Sequence, residues 1–168
     1  MQVATGSIII STTALEGSIF ERSIIVIAEK NELGATGFIV NQLLPQSFNH
    51  LEEFKNYPSF PLYNGGPVEQ EGLFFLHRIP DLIHAGIQVK DQVFLGGNFE
   101  DALELIHQQS SVITNIKLFI GYCGWDAGEL EAEIEEGSWI VTNALVEQIF
   151  ETTNTFNWQL LYSASIKK

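Results

Sequence analysis

A single cysteine, Cys123, stands in a chain of 168 residues. That scarcity excludes an internal disulfide framework and every zinc site built on two or more thiolates. Positive charge is scarce as well: 8 Lys and Arg face 21 Asp and Glu, for a formal net charge of -13. Sequence-independent affinity for nucleic acid comes from cations that neutralise phosphates, so this balance argues against direct nucleic-acid binding and against an anionic membrane surface. The cations, Arg22, Lys30, Lys55, Arg78, Lys90, Lys117, Lys167 and Lys168, are scattered, with only the last two adjacent. Apolar runs such as Ile24 to Ala28 and Leu73 to Leu76 fall far short of the roughly 20 residues a membrane helix needs. No basic residue precedes the first apolar run, as one would in a secretory signal. These absences predict a cytoplasmic protein, without cofactor or metal, whose partner is a protein or a small molecule.

Catalytic motifs are missing too. Gly-x-Ser-x-Gly is absent, and His50, His77, His84 and His107 show no paired metal spacing. Asn64-Gly65-Gly66-Pro67-Val68 is not a phosphate loop, because no Gly-Lys-Ser/Thr follows and Glu69 and Glu71 come next. Its amides could still form a concave anion site, against the plainer reading of a tight turn.

What the chain has in quantity is apolar surface. With 45% hydrophobic and 11% aromatic residues and a mean hydropathy of +0.11, it offsets chain entropy and folds, as one domain over residues 1–168. Short Ile/Val-rich runs at 7–11, 23–28 and 35–41 read as strands, with Asn31-Glu32-Leu33-Gly34 as a hairpin turn. Ile24-Ile25-Val26-Ile27 is continuously apolar, which implies a strand covered on both faces. Further strands are expected at 73–77, 92–95, 117–122 and 138–142. Helices are expected at 48–55, from Asn98 through Ile106, at 126–136 and at 143–150. The irregular alternation gives an α+β fold: a mixed, mainly antiparallel β core flanked by helices, with barrel-like curvature one form that core can take.

Phe119 to Ile134 is the most informative stretch. A buried strand is expected to end there and a helix to begin, with Asp126 as cap and Glu129 reaching back in a capping box. Gly121, Gly124 and Gly128 surround Trp125. Trp125 and Tyr122 read either as plugs of a packing joint or as the rim of a pocket. Cys123 at a helix N-terminus would be an activated thiol, whereas buried it is a small inert hydrophobe. Glu129 and Glu133 share a helix face, which points to a solvated acidic face or a surface for a basic partner. The candidate binding surface therefore runs over Tyr63, Gly65, Gly66, Pro67, Gly121, Tyr122, Gly124, Trp125 and Glu129. The alternative is an enzyme site using Arg22, Ser23, Asn41 and His77.

In combination these stretches resemble the YqgE/AlgH family of bacterial proteins. The resemblance rests on Phe20-Glu21-Arg22-Ser23 before an apolar strand, Gly34-Ala35-Thr36-Gly37-Phe38-Ile39-Val40-Asn41, Tyr63-Asn64-Gly65-Gly66-Pro67-Val68, and Gly121-Tyr122-Cys123-Gly124-Trp125 followed by Gly128-Glu129-Leu130-Glu131. It spans residues 6–142 in order. Where the family usually has Ala this chain has Cys123, where it has Gln this chain has Glu129, and where it often has His this chain has Lys30. Its Asn, basic residue and Pro become Asn41-Gln42-Leu43. The resemblance implies a compact α+β domain and a transcriptional-regulator label with no established enzymatic activity. Joined to the charge balance, it implies regulation through another molecule and not through DNA.

Overall fold

Alternation along the first strands decides the architecture. Ile8, Ile10, Ile24, Val26 and Phe38 point into one buried cluster, while Ile9, Ile25, Ile27 and Ile39 point into a second on the opposite face. The computed structural model describes residues 2–108, 114–152 and 154–167. Strands β1 (Ile8–Ser11), β2 (Ile24–Asn31) and β3 (Gly34–Ile39) form an antiparallel meander, the β2–β3 hairpin turning at Glu32-Leu33 as expected. Burying each of these isoleucines contributes about 1.5–3 kcal/mol relative to exposure.

Downstream come β4 (Leu43–Ser47), β5 (Pro61–Asn64), β6 (Val68–His77), β7 (Ile87–Lys90), β8 (Val93–Leu95), β9 (Ile116–Asp126) and β10 (Trp139–Val141). The sheet runs β10-β1-β2-β3-β9-β6-β8-β7, with β4 and β5 branching from it. Only the β5–β9 pair is parallel among the described strands. The fold is α+β and mainly antiparallel. Because the path has two ends, at β10 and β7, the sheet does not close into a barrel.

The helices are α1 (Phe99–Gln108), α2 (Glu129–Glu135) and α3 (Trp158–Ile166). As expected, Asn98 caps α1 by accepting the Asp101 amide at 3.0 Å, and Ala102 and Ile106 face the third buried cluster. Three expected helices differ from those observed. The 48–55 segment is two 3-10 turns, Phe48–His50 and Glu52–Phe54, broken at the extended Leu51. The break lets the Phe48 and Phe54 rings stack at 4.4 Å, which residues six apart on one continuous helix could not do. The segment after Ala144 is a 3-10 helix, Val146–Phe150, entered from extended Leu145. The 126–136 helix starts only at Glu129, because Gly124, Trp125 and Asp126 still pair with Thr36, Ala35 and Gly34 as strand. Its N-cap is Gly128, at φ +79°, and not Asp126. Only the returning half of the capping box forms, the Asp126 amide donating to Glu129 Oε1 at 3.0 Å. Strands β4 and β7 and helix α3 have no counterpart in the sequence expectations.

Candidate functional site

The Gly65-Gly66-Pro67 loop crosses the bend of β9 at Gly121, backbone against backbone. A Cβ on Gly65 would collide with the Gly121 carbonyl, and one on Gly66 with the Tyr122 carbonyl. Gly66 and Gly121 also hold φ values of +152° and +75°, which side chains rarely tolerate. The loop amides are consumed internally: Gly65 donates to the Ile120 carbonyl at 2.8 Å and Gly66 to Asn64 Oδ1 at 3.3 Å. These bonds support the tight-turn reading over an anion cradle, since the Asn64, Gly65 and Gly66 amides are all taken within the fold and Pro67 has none.

This crossing brings Pro67 and Val68 beside Gly124 and Trp125. Together with Phe20, Trp139 and the glutamates of α2 they line a cleft of about 350 Å³. Its chemistry centres on Glu133. Both Trp125 and Trp139 donate their indole N–H to Glu133 Oε1, each at 2.9 Å. The rings meet edge to face, Trp125 with Trp139 at 6.1 Å and Phe20 with Trp139 at 5.5 Å. Glu129 and Glu136 complete the acidic side, and among the described residues that line the cleft none is Lys or Arg. Trp125 is 8% exposed and packs in the second cluster, so it both supports the fold and walls the cleft. The surrounding glycines do not make room for it, as a Cβ at Gly124 would meet only ordinary contacts and one at Gly128 nothing within 4 Å.

Cys123 lies inside β9 opposite Gly37, not at a helix N-terminus. Burial pushes its thiol up to about 12, and its Sγ donates to the Gly65 carbonyl at 3.4 Å. The activated-thiol reading is therefore wrong, because a desolvated thiol without a nearby cation stays protonated.

Other expected site residues scatter. Arg22, Ser23 and Asn41 do converge, but as staples of β2: Asn41 donates to the Arg22 carbonyl and accepts from the Ile24 amide, both at 2.9 Å. Ser23 is buried, and its hydroxyl accepts from Gln42 at 3.2 Å. Arg22 spreads over Trp158 at 5.7 Å. His77 lies with β8, its ring nitrogens bonded to the Gly96 carbonyl at 3.0 Å and the Ile79 amide at 3.2 Å. Desolvation lowers its pKa against the raising effect of the Gly96 bond. Neither His77 nor Arg22 lines the Trp125–Glu133 cleft. Tyr63 carries the Lys117 ammonium over its ring at 4.1 Å, and Tyr122 donates to Glu69 Oε2 at 3.0 Å on the opposite face of β9.

A family model described as AlgH-like matches residues 8–165 of this chain. The chain belongs to the AlgH-like family. A relative from Chlorobaculum tepidum, UPF0301 protein CT0663, is 34% identical over 164 residues, covering 96% of this chain and 84% of the relative. A UPF0301 protein of Cytophaga hutchinsonii is 36% identical over 155 residues, with 92% and 85% covered. The solution structure of the AlgH protein from Pseudomonas aeruginosa superposes with a TM-score of 0.70 at 23% identity, covering 98% of this chain and 90% of that one. Protein DIP2367 from Corynebacterium diphtheriae gives 0.71 at 22%, with 94% and 84% covered. At these identities the two structures establish the shared fold alone.

Within this family member, sequence reasoning picked out Pro67, Gly124, Trp125 and Glu129 of the cleft but missed Glu133 as its centre, with Phe20, Glu136 and Trp139. One signal was available: Glu129, Glu133 and Glu136 recur at the spacing of a single helix face. The second indole, Trp139 of β10, lies only six residues from Glu133, but only the fold of the short turn after α2 shows that it reaches the same carboxylate.

Proposed function

We propose that this protein is a cytoplasmic regulatory domain that takes a basic side chain of a partner protein into the Trp125–Glu133 cleft and does not contact DNA. The carrying observation is the Glu133 carboxylate, oriented by two indole donors inside an aromatic-walled, cation-free cleft. A guanidinium or ammonium entering there meets an acceptor already in place, and aromatic walls add about 0.5–2 kcal/mol of cation–π attraction. The described cations favour the same reading. Lys30 pairs with Glu131 at 2.6 Å, Lys55 with Glu52 at 3.3 Å, and Lys117, Arg22 and Arg78 lie over aromatic rings. Few cations are left for phosphates, and Lys168 lies outside the described residues.

Titration of tryptophan fluorescence with an Arg-rich peptide, a matched Glu-rich peptide and a DNA duplex tests this at physiological salt. The Arg-rich peptide should bind saturably, and Glu133→Gln, which keeps the indole acceptor but removes the charge, should weaken it at least tenfold. Equal binding of the acidic peptide, indifference to Glu133→Gln, or micromolar duplex binding that weakens steeply with salt would overturn the proposal.

A further inference from the structure

The Trp125–Glu133 cleft uses one face of β9, and the other face opens on a larger cavity of about 480 Å³. That size lies within the roughly 300–1,000 Å³ of small-molecule sites. Its walls are aromatic and aliphatic. Phe38 and Phe74 lie 5.9 Å apart, and Phe74 meets Tyr122 edge-on at 5.5 Å. Leu95 and Ile87 form the side toward the β7 edge, and Ile87 is 68% exposed at the mouth, an aliphatic side chain left facing water.

Charge decides what such a cavity would take. Glu69 is the one charged residue among the described residues lining it. Its Oε2 accepts the Tyr122 hydroxyl at 3.0 Å, which leaves Oε1 for a ligand. That bond, together with desolvation and the neighbouring negative charge, raises the Tyr122 pKa, so the phenol keeps its proton as the donor. Among the described residues the ion pairs are Lys30–Glu131, Lys55–Glu52 and His84–Asp101, so no side-chain cation neutralises Glu69. Of the four non-glycine residues with positive φ among the described residues, Arg22, Glu69, Ala85 and Asp91, two line this cavity, Glu69 at +50° and Ala85 at +65°.

We infer that this cavity binds a small amphiphilic amine, with an aromatic or branched aliphatic body against Phe38, Phe74 and Leu95 and one ammonium on Glu69. Apolar burial supplies the affinity and the carboxylate the selection: an ammonium gains an ion pair and aromatic faces, whereas a carboxylate ligand of the same shape meets repulsion. The site is independent of the basic-partner cleft, because Tyr122 and Trp125 belong to clusters on opposite faces of β9.

Amide chemical shifts of the nitrogen-15-labelled full chain test this, with phenethylamine, 2-phenylethanol and 3-phenylpropionate as matched cationic, neutral and anionic probes. Phenethylamine should shift Thr36, Phe38, Leu95 and Tyr122 saturably, at least tenfold more tightly than either analogue. Glu69→Gln should reduce phenethylamine to the level of 2-phenylethanol without changing the latter. Thr36→Phe, which fills the cavity from β3, should abolish binding of both. Absence of shifts at millimolar phenethylamine, equal affinity for the three probes, or shifts centred on Trp125 and Trp139 would overturn the inference.

Discussion

Trp125→Ala is the most direct test of how the β9 segment is built. The indole is 8% exposed, stands edge-on to Trp139 and gives one of the two hydrogen bonds that orient Glu133. Truncating a buried Trp to Ala typically costs about 3–5 kcal/mol, a large part of the ~5–15 kcal/mol that holds a domain together. Glu133 keeps the Trp139 donor, so its carboxylate is not orphaned and no full desolvation penalty is added. At roughly 2–4 °C per kcal/mol for a chain of this size, the melting temperature should fall by roughly 6–20 °C. Trp125→Phe separates the two contributions: it keeps a ring against Trp139 and removes only the N–H, at about 1–3 kcal/mol for a bond to a carboxylate. Thermal and urea unfolding followed by far-ultraviolet circular dichroism read both variants. An alanine variant melting within a degree or two of the parent would refute the reasoning, since it would mean the indole contributes nothing to packing.

Two further outcomes follow from buried groups on β9. Cys123, its thiol pushed up to about 12 by burial, should resist iodoacetamide in the native protein and react on unfolding in urea; Cys123→Ala should cost about 1 kcal/mol and leave binding intact. Rapid native alkylation would contradict the buried, protonated thiol. Burial lowers the Lys117 pKa from 10.5 to about 8, so between those values the unfolded chain binds more protons and stability contributed by this residue rises with pH. The full gain is about 3 kcal/mol. Lys117→Met should therefore flatten stability against pH between 8 and 10 in urea titrations, and identical slopes would refute the assignment.

Local pattern determined a good share of this molecule. The continuous apolar runs Ile8 to Ile10 and Ile24 to Ala28 prescribe strands buried on both faces, and Asn31 to Gly34 prescribes the β2–β3 hairpin, because side-chain period and turn chemistry act over a few neighbouring residues. The cap at Asn98 was legible for the same reason. Conversely, three expected helices were shortened or recast, because partners distant in sequence outweigh local propensity. Pairing with Gly34 to Thr36 keeps Trp125 and Asp126 in a strand, and Phe48 at the head of the broken 48–55 segment is tied to the Phe60 carbonyl at 2.8 Å. The candidate sites divide in the same way. Pro67, Trp125 and Glu129 could be singled out as a turn, an aromatic and a charge beside glycines. That Glu133 would collect two indoles, that Cys123 would be inert inside a strand, and that Glu69 would stand alone at an apolar cavity were settled by tertiary structure. The first depends on how α2 folds back between its neighbours β9 and β10; the other two depend on which strands β9 lies between, and strand order is fixed by the joint burial of the whole sheet, not by any segment read in isolation.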